Sequence, residues 1–116
     1  MNNCFPGCNA PVIYKDGSGS DRKLRTMKWG LVPSKTKVFP GSKPNHFKVF
    51  NARIETAAIS PMFSKLVRGG GRCAIMMDGF YEWKEEDVVN KKKKKQPYYV
   101  HFSNNRPMIM AGVFDR

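Results

Sequence analysis

Three stretches of the chain carry side chains whose types and spacing could do chemistry. In Asp78-Gly79-Phe80-Tyr81-Glu82-Trp83-Lys84, strand alternation puts Phe80, Glu82 and Lys84 on one face and Tyr81 and Trp83 on the other. A carboxylate wedged among aromatic rings loses hydration, which readies it for proton transfer near neutral pH. The same spacing also fits a solvent-facing glutamate beside Lys84. In Asn51-Ala52-Arg53-Ile54-Glu55-Thr56, an extended backbone brings Asn51, Arg53 and Glu55 to one side. An amide and a guanidinium projecting together could orient a reacting group and hold a phosphate; a surface strand with an Arg–Glu pair fits equally. In Trp29-Gly30-Leu31-Val32-Pro33-Ser34, Trp29 could stack on a base, as aromatics do in single-strand binders, or fill a core at a strand end.

Other chemistries find little support. His46 and His101 stand apart in sequence, and His101 within Tyr98-Tyr99-Val100-His101-Phe102 reads as a packed strand residue. Cys4 and Cys8 lack neighbouring Cys or His partners, so no metal site is expected. No cofactor is expected either. Cys73 heads an apolar strand and reads as interior filling, and the three cysteines together read as reduced thiols. Gly69–Gly71 follows a helical stretch rather than opening one, which excludes a phosphate-cradling loop. No Ser/His/Asp or Cys/His arrangement can be located for general peptide hydrolysis.

The elements that must position these residues are mostly strands. Pro11–Lys15 and Arg22–Trp29 alternate with period two around the turn Asp16–Ser20, predicting a hairpin. Pro33, Pro40, Gly41 and Pro44 forbid a regular element over 30–45, after which 46–51 reads as extended. Ile59, Met62, Phe63, Leu66 and Val67 mark one helical stripe, with Ser60 as N-cap, Pro61 at the first helical position and Gly69–Gly71 as terminator. Strands are predicted over 72–77, 80–84, 97–102 and 107–114, with 85–96 a loop and 103–106 a hairpin turn. The expectation is a single domain over 1–116 of the α+β class, a curved, mostly antiparallel sheet with short helices.

Twenty-one Lys and Arg against nine Asp and Glu give a net charge of +12. Five of the positive charges form the run Lys91–Lys95, which reads as a solvated loop; the remaining sixteen still exceed the acids by seven. A broad positive surface favours polyanions through counterion release. Leu, Ile, Val and Phe make up about a fifth of the chain, enough for a thin core. No apolar run approaches the roughly 18 residues of a membrane helix, and the N-terminal residues lack the pattern of a secretion signal. No membrane association is expected. A non-catalytic basic module that binds single-stranded nucleic acid is one function this composition fits.

Taken in order, Asn3-x-x-Pro6, Pro11–Ile13, Trp29–Ser34, Asn51–Thr56, Met62-Phe63, Arg72-Cys73, Asp78–Lys84, Gln96–Tyr99 and Met110–Gly112 resemble the SOS-response-associated peptidase family. That resemblance implies an SRAP fold, barrel-like, and a role in the DNA damage response. Family members recognise abasic sites in single-stranded DNA and form a covalent DNA–protein crosslink, shielding the lesion from strand cleavage. The reacting group in the family is a cysteine exposed by self-removal of the initiator methionine, the activity behind the word peptidase. Its amine and thiol close a thiazolidine on the sugar aldehyde. By position, Asn51 resembles the asparagine that orients that cysteine, Glu82 the acid/base glutamate and Arg53 a DNA-backbone contact. Trp29, Gly30 and Pro33 resemble part of the channel wall along the DNA.

The chain departs from the family pattern in three places. The family's M-C-G-R start does not precede Asn3, and its H-x-R-M-P stretch, which supplies a histidine, is expected beyond Arg116. Lys35-Thr36 stands where a tryptophan is usual. A polypeptide of this sequence is therefore expected to be a partial SRAP domain, monomeric and without crosslinking activity. The resemblance places it in the nucleus if eukaryotic or the cytoplasm if bacterial.

Overall fold

The computed structural model describes residues 3–17, 19–87 and 93–115. The chain forms two compact units, residues 1–76 with 110–116 and residues 77–109.

In the first unit, β1 (Asn9–Lys15) and β2 (Arg22–Lys28) pair antiparallel from Asn9–Lys28 to Lys15–Arg22. Gly17, at φ +62°, supplies the left-handed backbone of the connecting turn, and Lys23 clamps it through a 2.9 Å bond to Asp16. β3 (Arg72–Met77) lies antiparallel against the other side of β1, with Val12 opposite Ile75 and Tyr14 opposite Cys73. β6 (Met108–Val113) completes a four-stranded sheet of order β2-β1-β3-β6. Alternation along β1 sends Val12 and Tyr14 inward, and these are the buried apolar side chains among the described residues. Tyr14 meets Phe114 edge to face at 5.3 Å. Gly112 lets β6 approach β3 closely, because a Cβ there would press on Ile75 and Cys73. The outer strand β2 carries Arg22, Lys23, Arg25 and Lys28, charges that keep an open sheet edge from pairing with another chain.

The helical segment differs from its prediction. α2 (Ser64–Arg68) is shorter than the helix expected over 61–68, its N-cap is Phe63 rather than Ser60, and α1 (Ile54–Ala57) forms where an extended segment was expected. Pro61 has no N–H to donate, so the backbone breaks there although Ser60 still donates to Thr56 and accepts from Ser64. Glu55 therefore sits in a helix, not on an extended face shared with Asn51 and Arg53. Residues 46–51 are turns and bends rather than a strand.

The second unit is built on a hairpin of β4 (Phe80–Asp87) and β5 (Lys93–Val100), in register from Phe80–Val100 to Asp87–Lys93. Most of the predicted loop 85–96 is thus strand. Glu85, Glu86 and Asp87 stand opposite Lys95, Lys94 and Lys93, so opposite charges across the ladder offset the repulsion within the lysine run. Lys91 and Lys92 lie outside the described residues. Segment 103–106 joins β5, which pairs with β4, to β6, which pairs with β3, so it is not a hairpin turn. His101 is exposed just past β5 and stacks on Tyr99 at 5.0 Å, not packed within the strand.

The α+β expectation holds: antiparallel sheets dominate and the helices are short. Among the cysteines, Cys73 is free while Cys4 and Cys8 form a disulfide, which corrects the expectation of three reduced thiols. Their Cα atoms lie 5.8 Å apart, within bonding reach.

Candidate functional site

The first unit gathers most of the candidate residues around one long loop. Trp29 ends the β1–β2 ladder; its N–H donates to the Cys8 carbonyl and its own carbonyl accepts from Gly7. Gly30 then turns at φ +107°, a conformation that favours glycine, and any Cβ there would collide with the carbonyl oxygen of His46. The loop is closed at its base by the Leu31 N–H on the Val49 carbonyl at 2.6 Å, and by His46 Nδ1 with the Gly30 carbonyl at 2.7 Å. Within the loop Ser34 N–H donates to Asp115 at 2.8 Å, fixing the chain after Pro33.

Trp29 is half-buried and engaged by the protein. Its indole N–H donates to the Phe50 carbonyl at 2.7 Å and its ring meets Phe50 edge to face at 6.0 Å. Trp29 thus packs on Phe50, and Gly30 lies against the backbone of His46.

Next to Asn51 lies an open groove of about 420 Å³ lined by Lys48, Val49, Phe50, Asn51, Ser60, Met62 and Phe63. A second hollow of about 440 Å³ shares Lys48, Val49 and Met62 with it and extends along Pro33, Lys37, Phe39, Lys43 and Asn45. The two therefore form adjacent stretches of one surface. Lys37, Lys43 and Lys48 supply exposed positive charge, and Phe39 and Phe50 exposed rings, the combination that takes phosphates and unstacked bases together. Arg53 follows the groove residues, exposed at the N-cap of α1, with its carbonyl holding the N–H groups of Thr56 and Ala57.

Glu82 belongs to the second unit. It is exposed in β4, opposite Tyr98, and not wedged among aromatics as its sequence neighbours imply. Tyr81 and Trp83, on the other face, are exposed as well, and Tyr81 contacts Tyr99 at 5.1 Å. A two-stranded ribbon has no second layer of its own to desolvate either face. Beside it, Tyr98 donates to Glu86 at 3.0 Å, and this bond, with the carboxylate charge, raises the phenol above its ordinary value. In the first unit, burial raises the Cys73 thiol. Among the described residues no cluster of three or more His, Cys, Asp or Glu could hold a metal.

Of the groove residues, Lys48 and Phe50 were not singled out in the sequence, and Met62 and Phe63 only as part of a helical stripe and of the family resemblance. The interleaving of His46-Phe47-Lys48-Val49-Phe50-Asn51 is the local signal that could have found two of them, since alternating base and ring suits a nucleic-acid strand.

Comparison with known proteins identifies the family. The family model for SOS response associated peptidase (SRAP) matches residues 1–116. The chain is 31% identical over 136 residues to the abasic site processing protein HMCES of Xenopus tropicalis, covering 97% of this chain and 39% of that one. It is 34% identical to the abasic site processing protein YobE of Bacillus subtilis, over 98% of this chain and 47% of the relative. It is 36% identical to the abasic site processing protein YMR114C of Saccharomyces cerevisiae, over 92% of this chain and 26% of the relative. The chain spans less than half the length of each of these relatives.

Proposed function

Because the chain belongs to the SOS response associated peptidase family, we propose that it forms part of a protein that processes abasic sites in single-stranded DNA. In this reading the groove beside Asn51 holds the strand at the lesion. The observation that carries it is the placement of Asn51 in a hollow that also presents Lys48 and the ring of Phe50. Lysines 37, 43 and 48 take phosphates, the phenylalanines take bases next to the missing one, and the amide of Asn51 orients the group that reacts with the sugar. Arg53 steadies the backbone of the strand, and Glu82 takes the acid/base role that its place in the family motif implies. Trp29, Gly30 and Pro33 hold the wall in shape.

The crosslink requires an amine and a thiol on adjacent carbons of one residue. Cys4 and Cys8 have their nitrogens in peptide bonds and their sulfurs joined to each other. A 116-residue polypeptide of this sequence therefore binds abasic single strands reversibly and forms no stable conjugate. The test is incubation with single-stranded oligonucleotides, intact and abasic, followed by a denaturing gel and by binding titrations at several salt concentrations. The expected result is no heat-stable adduct, with log K falling by roughly 0.7 per neutralised phosphate as log salt rises. A conjugate that survives heat and detergent would overturn the chemistry. Affinity independent of salt would overturn the groove, and equal affinity for both oligonucleotides once an N-terminal cysteine is supplied would favour a basic single-strand module without lesion preference.

A further inference from the structure

The disulfide between Cys4 and Cys8 closes a five-residue loop that leads directly into β1. Inside the loop, Cys8 N–H donates to the Phe5 carbonyl at 3.0 Å and Phe5 N–H donates to the Cys8 sulfur at 3.1 Å. The loop then grips Trp29, just past β2, through both of its backbone groups. Gly7 N–H donates to the Trp29 carbonyl at 2.7 Å, and Trp29 N–H donates to the Cys8 carbonyl at 2.9 Å. Trp29 in turn holds Phe50 through its indole N–H and its ring, and Phe50 lines the groove beside Asn51. Two consecutive contacts, loop to Trp29 and Trp29 to Phe50, thus connect the disulfide to the groove wall.

We propose that Cys4 and Cys8 are a reversible redox modification site that sets how firmly Trp29, and through it Phe50, is held in the groove wall. Cys4 is exposed and open to a small disulfide reagent, whereas Cys73 is half-buried. The chemistry is thiol–disulfide exchange with a low-molecular-weight disulfide such as oxidised glutathione. One thiolate attacks the reagent's S–S bond and releases one reduced thiol; the second cysteine then attacks the mixed disulfide and releases the other. Two protein thiols lose two electrons and two protons, and one reagent disulfide becomes two thiols. The Phe5 N–H aimed at the Cys8 sulfur steadies negative charge on that atom during exchange. With the bond closed, residues 4–8 have few conformations and the Gly7 and Trp29 bonds form cooperatively. With it open, Gly7, already at φ +98°, is free to leave the left-handed region and the grip on Trp29 loosens.

The effect on DNA binding rests on the groove reading above, whereas the switch itself does not. The experiment uses the full chain carrying Trp83→Phe, which leaves Trp29 as the sole indole, in buffers of graded oxidised and reduced glutathione. Alkylation followed by mass spectrometry counts free thiols, amide hydrogen exchange follows Gly7 and Trp29, and indole emission follows the Trp29 ring. The expected result is a reversible change between three free thiols and one. Exchange at Gly7 and Trp29 is faster in the reduced form by about tenfold or more, the lower end of what closing a short loop delivers. Cys4→Ser should behave as the reduced form in every buffer. Three alkylated thiols in all buffers, or equal exchange in both states, would overturn the proposal. Single-strand binding absent from both forms, with the exchange difference intact, would instead overturn the groove reading and leave the switch standing.

Discussion

Replacing Lys37, Lys43 and Lys48 together by glutamine removes the three positive charges that line the two adjoining hollows while keeping polar, unbranched side chains. All three are exposed, so the change should leave the fold intact and act through the polyanion. Each phosphate neutralised on a single strand contributes roughly 0.7 to the slope of log K against log salt, so three contacts contribute roughly 2. Across a fourfold rise in salt, the parent protein should lose roughly 20-fold more affinity than the triple variant through these contacts alone. The assay is fluorescence anisotropy with a labelled single-stranded oligonucleotide across that salt range. A matched control replaces Lys93, Lys94 and Lys95, which stand opposite Asp87, Glu86 and Glu85 and add little net charge to their surroundings. That control should change the slope by less than about 1. The reasoning fails if the groove variant keeps the parental slope, or if the hairpin variant carries the loss.

Gly30→Ala should destabilise the chain by about 2 kcal/mol or more, because φ +107° is strained for alanine and its Cβ meets His46; urea unfolding measures it. Burial raises the Cys73 thiol, so alkylation of native Cys73 should reach half its maximal rate above pH 9.0. The folded chain holds this proton more tightly than the unfolded one, so the stability it adds is complete below the ordinary thiol value. It is lost as pH rises through the raised value, and Cys73→Ala should abolish that part of the alkaline loss. Glu86→Gln removes the charged partner of Tyr98 and should lower the pH at which the Tyr98 phenolate absorbs, with little effect on stability.

The β1–β2 hairpin was legible because alternation and the Asp16–Ser20 turn point the same way, and nothing else competes for those residues. The strand pairs β1–β3 and β3–β6 were not, since which strands neighbour one another depends on contacts far apart in sequence. The lysine run misled for a related reason: its charges repel along the chain, and only the register with Glu85–Asp87 supplies their partners. Asn51 was singled out from its motif, and the structure puts it on the lining of the groove. Of the two readings of Glu82 the solvent-facing one holds; alternation fixes which face a residue takes but not what covers that face. The helix prediction weighed the apolar stripe and Pro61 at the first helical position, whereas Pro61 interrupts the hydrogen bonding between α1 and α2. The disulfide carried no signal beyond a spacing of four.

The most direct measurement of the central claim is reductive trapping of an abasic single strand. The open sugar aldehyde condenses with a nearby lysine amine, releasing water, and borohydride fixes the imine as a secondary amine that peptide mapping can locate. If the lesion rests beside Asn51, the adduct concentrates on Lys48 and declines when an intact strand competes. An adduct spread evenly over the surface lysines, or concentrated on Lys93–Lys95, would contradict it.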